Sequence, residues 1–198
     1  MSQHANVVAF AGEHCIASGD LARVARAARK FAAAGSHKPI LAFDAATGEQ
    51  IDLDLRGTEE HQPPKRSSSA AHGRAQEEPR GPGRPKLGVI AREVTLLPRH
   101  WDWLASQPGG ASVALRKLVQ HGMRANSGKD RIRASQNAAY QFMSAMAGNR
   151  AGFEEAARAL FAGDARSFNR RVDAWPKDVR DLVKKLAAVA LQAETTAG

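Results

Sequence analysis

The residues whose type and spacing most plainly suggest chemistry are Arg80, Arg84 and Lys86, set in Arg80-Gly81-Pro82-Gly83-Arg84-Pro85-Lys86. Cations on such a backbone suit an anionic polymer. Proline fixes φ and glycine leaves the backbone bare, so an extended strand of this kind can lie deep in a narrow groove. A guanidinium carried there meets the enhanced negative potential of an A·T-rich minor groove. A second group follows directly: Arg92, Thr95 and Arg99, then Gly110, Ser112, Arg116 and Lys117.

Three elements must position that second group. A strand is predicted from Val89 to Leu97, ending at Pro98. Two short helices are predicted over 99–106 and 112–123, split by the breaker Pro108-Gly109-Gly110. Gly110-Ala111-Ser112 places small residues and a hydroxyl at the start of the second helix, where free N–H groups can hold phosphate, with Arg116 and Lys117 one turn on. The arm resembles the core of an AT-hook, although Pro82 separates Arg80 from Gly83 and no arginine directly precedes Gly83. The strand and two helices resemble the ribbon-helix-helix fold of bacterial repressors and antitoxins. That resemblance implies an obligate dimer whose paired strands enter the major groove. It also implies a shared core of Trp101, Leu104, Val113, Leu115, Leu118 and Val119. One register turns Leu96, Val94 and Arg92 away from the core; the other turns Ile90, Val94 and Leu96 inward and leaves Glu93, Thr95 and Leu97 on the DNA face. Glutamate is a handicap near phosphates, so the strand is better suited to dimerisation than to base reading.

Charge supports an anionic partner for part of the chain. The net charge is +9, but residues 1–60 hold 6 Lys+Arg against 8 Asp+Glu, and the remainder holds 23 against 12. The excess therefore lies beyond residue 60, which points to nucleic acid or a membrane surface for that part alone. No apolar run approaches the roughly 20 residues that span a bilayer, and the N-terminal residues lack a signal-peptide pattern. A single cysteine, Cys15, excludes an intramolecular disulfide and fits a reducing cytoplasm.

The expected fold class is α+β. Residues 1–56 read as a small sheet with one helix: strands at Val7–Phe10 and His14–Ala17 about Gly12, and a helix over 21–34 capped by Asp20 and stopped by Gly35. A hairpin follows, with Ile40–Phe43 and Gln50–Leu55 joined through Asp44-Ala45-Ala46-Thr47-Gly48. Strict alternation in Ile51-Asp52-Leu53-Asp54-Leu55 predicts a buried face with both aspartates outward. Residues 57–82, rich in Pro, Ser, Gly and charge, cannot bury enough surface to offset their ordering entropy and are expected to form a disordered linker. The arm and strand-helix-helix module occupy 83–125.

Residues 126–192 are expected to be helical. Ile132, Tyr140, Met143 and Ala147 form one apolar stripe, and Phe153, Ala157, Leu160 and Phe161 a second. Gly163-Asp164 reads as a helix stop followed by an N-cap, with Phe168, Val172 and Trp175 on the next helix. Pro176 starts a last helix with Val179, Leu182, Val183, Leu186 and Val189 inward. Arg166, Arg170, Arg171, Arg180, Lys184 and Lys185 then face largely outward.

With these segments placed, the chain resembles a bacterial family of uncharacterised proteins, domain of unknown function 2239. The likeness rests on Phe43-Asp44-Ala45-Ala46-Thr47-Gly48, Asp54-Leu55-Arg56-Gly57, Gly83 to Val89, Arg92 to Trp101, Gly109 to Ser112 and Phe142 to Gly148. It implies no established activity.

Chemistry of other kinds finds little support. The seven histidines fall at no metal-ligand spacing, and no phosphate-cradling loop or nucleophile elbow is present. His14 and Cys15 are strand neighbours that point to opposite faces, so Cys15 is expected to be a buried structural thiol. Glu154-Glu155 reads as first-turn helix charge. No cofactor, metal or enzymatic activity is expected. The residues point to a dimeric, cytoplasmic, nucleoid-associated protein that binds double-stranded DNA as a transcriptional regulator. The alternative is an antitoxin-like or scaffolding module whose C-terminal helices bind an acidic protein. A single tyrosine and few aromatic strands argue against single-stranded RNA.

Overall fold

A computed structural model describes residues 6–35, 38–55, 90 and 92–192. The arm residues Arg80, Arg84 and Lys86 and the expected linker lie outside the described residues. The described chain is α+β and forms two compact units, which divide within one long helix between Ala125 and Asn126.

The first unit begins with a hairpin. β1 (Val7–Ala11) and β2 (His14–Gly19) pair antiparallel about Gly12, whose φ of 60° suits a residue without a Cβ. β3 (Ile40–Asp44) pairs with the other side of β1, and β4 (Gln50–Ile51) with β3, giving the order β2-β1-β3-β4. The expected strand to Leu55 is paired over Gln50 and Ile51, yet its alternation persists: Ile51, Leu53 and Leu55 are half-buried, and Asp52 and Asp54 exposed. α1 (Leu21–Ala33) starts where predicted, with the Asp20 carboxylate accepting the Arg23 N–H at 2.8 Å. Its Val24 packs with Val7, Ala9 and Ala42 on one sheet face, and Ala28 is buried as well.

The opposite sheet face changes the domain plan. Val8, Phe10 and Phe43 share a core with Phe142, Met143, Leu160, Phe168, Val183 and their neighbours. The sequence predicts separate domains for 1–56 and 126–192; the structure joins them. The cause is in β1, where every residue is buried, so both faces of the strand need cover. One short helix supplies cover for one face, and the C-terminal helices supply the other.

Those helices are the end of α3 (Gly110–Ala147), α4 (Phe153–Ala162), α5 (Ala165–Val172) and α6 (Lys177–Gln192). Gly163, at φ 78°, ends α4, and Asp164 caps α5 by accepting the Ser167 N–H at 2.9 Å. The Gln136 amide donates to the Leu160 and Phe161 carbonyls in the last turn of α4. Ser135, buried between α3 and α6, donates to the Leu186 carbonyl and accepts the Ala190 N–H. Three expected core positions sit on the surface instead: Tyr140, Phe161 and Val189 are exposed, and the Tyr140 ring lies tilted beside those of Phe153 and Phe161.

In the second unit, α2 (Pro98–Ala105) begins with Pro98 at its first position, behind an extended Leu97. The predicted strand is not formed: residues 92–97 have no ladder partner. A ribbon strand needs a second strand, and the described part of this unit contains none. The second predicted helix is also longer than expected. α3 has 38 residues and runs through Gly122 and Gly128 without a break. Neither glycine takes a positive φ, and no proline interrupts the segment, so the helical pattern on both sides carries through.

Candidate nucleic-acid interface

The second unit turns sharply between α2 and α3. Gly109 and Gly110 take φ values of 86° and 74°, a conformation that side chains resist. The last carbonyls of α2 are satisfied locally: the Ser106 hydroxyl and the Gln107 amide both donate to the Trp103 carbonyl, and Gly110 N–H donates to the Gln107 carbonyl. Leu104 and Ala114 are buried in this turn. Little else is. Trp101, Leu118 and Val119 are 42%, 50% and 59% exposed, and Val113 and Leu115 are half-buried. One chain therefore leaves half of the expected shared core facing solvent.

The sequence-predicted site residues are partly brought together. Arg92, Thr95, Arg99 and Ser112 are exposed, and Gly110 is half-buried at the start of α3. Arg116 and Lys117 are exposed one turn on, and the Arg116 Nε donates back to the Ser112 carbonyl at 3.1 Å. Arg116 and Lys117 share one face of α3 with Val113, Gln120, His121 and Arg124. The sequence reading stops at the first turn of the predicted helix and so omits these last three. Their signal is present, since Arg116, Gln120 and Arg124 recur at i, i+4 and i+8 on one helical face. Acid is scarce here: Asp130 is the sole carboxylate in α3, against Arg116, Lys117, Arg124, Lys129, Arg131 and Arg133.

This cationic face and the apolar residues lie on opposite sides of the helix. With 3.6 residues per turn, Leu115, Leu118, Val119 and Gly122 fall roughly half a turn from Gln120 and Arg124. The start of α3 is thus amphipathic, with a cationic side and an apolar side that both face outward in one chain.

Two other places carry polar chemistry. Cys15 is exposed, contrary to expectation, because β2 is an edge strand. Its N–H donates to the Asp178 carboxylate at 2.9 Å, and His14 Nδ1 lies 3.9 Å from the same oxygen. Desolvation, then the Asp178 charge, pushes the Cys15 thiol above its ordinary value, which disfavours thiolate chemistry. The N–H to carboxylate bond docks β2 on α6. On the outer helices, Lys184, expected to face largely outward, is engaged by Asp173 at 2.6 Å, while Arg166, Arg170, Arg171 and Lys185 are exposed.

Among the described residues, no group of His, Cys, Asp and Glu could hold a metal ion, and no helix is long and apolar enough to cross a membrane. Comparison with curated proteins and with solved structures finds no match. Comparison with protein families matches residues 6–187, nearly the whole described chain, and on that extent the chain belongs to the family described as uncharacterized protein conserved in bacteria, DUF2239.

Proposed function

We propose that this protein is a dimeric DNA-binding protein of the bacterial cytoplasm, acting on the nucleoid as a transcriptional regulator. The observation that carries the reading is the two-sided start of α3. Its cationic face is suited to phosphate and base edges, and its apolar side is suited to a second copy of the chain. Exposed tryptophan and branched aliphatic side chains on so short a unit need cover, and a partner's equivalent surface supplies it. Residues 92–97 would then pair with the same residues of the second copy, with Arg92 and Thr95 near DNA. Arg80, Arg84 and Lys86 would reach the adjacent minor groove, and Arg99 and Ser112 would contact phosphate.

The test is binding of the purified protein to A·T-rich and G·C-rich duplexes across a salt series, with its mass in solution measured in parallel. A dimer whose affinity falls steeply with salt, and whose A·T preference disappears in Arg84→Ala, is the expected result. Each phosphate that a variant no longer neutralises should reduce the log–log salt slope by about 0.9. A monomer that ignores both duplexes at physiological salt would refute the proposal.

A second reading has one observation in its favour. Tyr140 and Phe161, with ring centroids 5.6 Å apart, expose an aromatic surface on the C-terminal helices. Aromatic residues are enriched at protein interfaces. An antitoxin-like or scaffolding role would use this surface for a protein partner, and co-purification would detect it.

A further inference from the structure

We infer that α3, rather than the segment 92–97, reads base sequence, with Gln120 and Arg124 facing base edges and Arg116, Lys117 and His121 gripping phosphates on either side. The inference rests on the DNA-binding reading above and assigns its specificity to one helix face.

The five side chains are ordered across that face. At 3.6 residues per turn, Gln120 and Arg124 lie near the middle of this cationic face, Arg116 lies on one flank, and Lys117 and His121 lie toward the other. A helix lying in the major groove needs that order, because its midline faces base edges while its flanks face the phosphate walls. The two central residue types are also the informative ones. Glutamine pairs bidentately with adenine, and arginine with guanine. They are one turn apart, a rise of about 6 Å, which is close to two base-pair steps. All five are exposed, and the face they share carries no Phe, Tyr or Trp side chain and no carboxylate.

The competing element is poorly equipped for the same task. Along 92–97 the polar side chains are Arg92, Glu93 and Thr95, so any face that presents Thr95 also presents Glu93. A carboxylate in that position repels the backbone that the arginines attract. The segment is better suited to pairing with its copy, which leaves base reading to the helix.

The experiment is selection of preferred sites by the full-length protein from a pool of randomised duplexes, repeated with Gln120→Ala, Lys117→Ala and the pair Arg92→Ala and Thr95→Ala. Alanine is a good helix former at exposed sites, so the α3 variants should remain folded. Gln120→Ala should lose about tenfold or more of discrimination at one base pair per half-site, with an unchanged salt slope. Lys117→Ala should weaken all sequences alike and lower that slope by about 0.9. The Arg92/Thr95 variant should keep the wild-type site. Specificity that instead disappears in the Arg92/Thr95 variant and survives Gln120→Ala would overturn the inference while leaving DNA binding intact. Failure of the wild type to enrich or retain any duplex would overturn the DNA-binding reading, and this inference with it.

Discussion

Gly48 lies directly against the backbone of α3: a Cβ at this position would run into the carbonyl oxygen of Ala138. Its φ of 69° adds a second reason for glycine. The turn that presents it is held from within. The Asp44 carboxylate accepts the N–H groups of Ala46 and Thr47, at 2.7 and 3.1 Å, and Gly48 N–H donates to the Asp44 carbonyl. The hairpin tip therefore sets the distance between sheet and helix. Gly48→Ala should cost about 3 kcal/mol or more, from backbone strain and displacement of α3 together, and urea denaturation would measure it.

Phe142 joins the two halves of the first unit. Its ring lies 4.8 Å from Phe43 at 83° and 5.5 Å from Phe10, and all three are buried. Phe142→Ala should destabilise by about 3–5 kcal/mol. Because sheet and helices share this core, far-UV and near-UV circular dichroism should report one coincident transition in both wild type and variant. Separate transitions for strands and helices would contradict the shared core.

Acid should weaken the fold through its helix caps. The Arg23 N–H holds the Asp20 carboxylate below its ordinary value. The hydroxyl and N–H of Ser167 do the same for Asp164, and the Lys184 ammonium does so for Asp173. A carboxylate with a lowered folded pKa contributes stability that is present above its unfolded value, about 4, and lost as pH falls through the folded value. Stability should thus be flat toward neutral pH and decline below about pH 4. Asp164→Asn keeps a cap acceptor that cannot titrate, so its melting temperature should fall less steeply across that range.

The apolar side of α3 gives a test of self-association. Leu118 is half-exposed in a single chain, so Leu118→Glu should cost a monomer little. Placed between two copies, the same carboxylate would be buried against apolar surface and the dimer should dissociate. Analytical ultracentrifugation should show a monomer that is still helical. A dimer of unchanged affinity would place the association elsewhere.

Gly128 offers the opposite kind of change. A Cβ there meets nothing within 4 Å, and its φ is not positive. Gly128→Ala should raise stability or helicity by up to about 1 kcal/mol, seen as a higher melting temperature. A fall would mean that a close neighbour needs the bare backbone.

Local patterns determined much of this protein. Gly12 and Gly35 marked turns, Asp20 and Asp164 marked caps, and the Ile51–Leu55 alternation marked an inward face, because each depends on residues a few positions apart. Charge distribution likewise placed the basic excess beyond residue 60 without any fold. What local patterns left open was what each element packs against. That β1 is covered on both sides depends on Phe142, about 130 residues away. That Ser135 and Gln136 satisfy backbone groups on α6 and α4 depends on contacts across the unit. The length of α3 concealed that Gln120, His121 and Arg124 continue the face of Arg116 and Lys117, because glycine is compatible with either a break or a continuing helix. Helix capping and alternation act over a few residues, whereas burial is settled by which distant surfaces meet, and tertiary structure alone decides that.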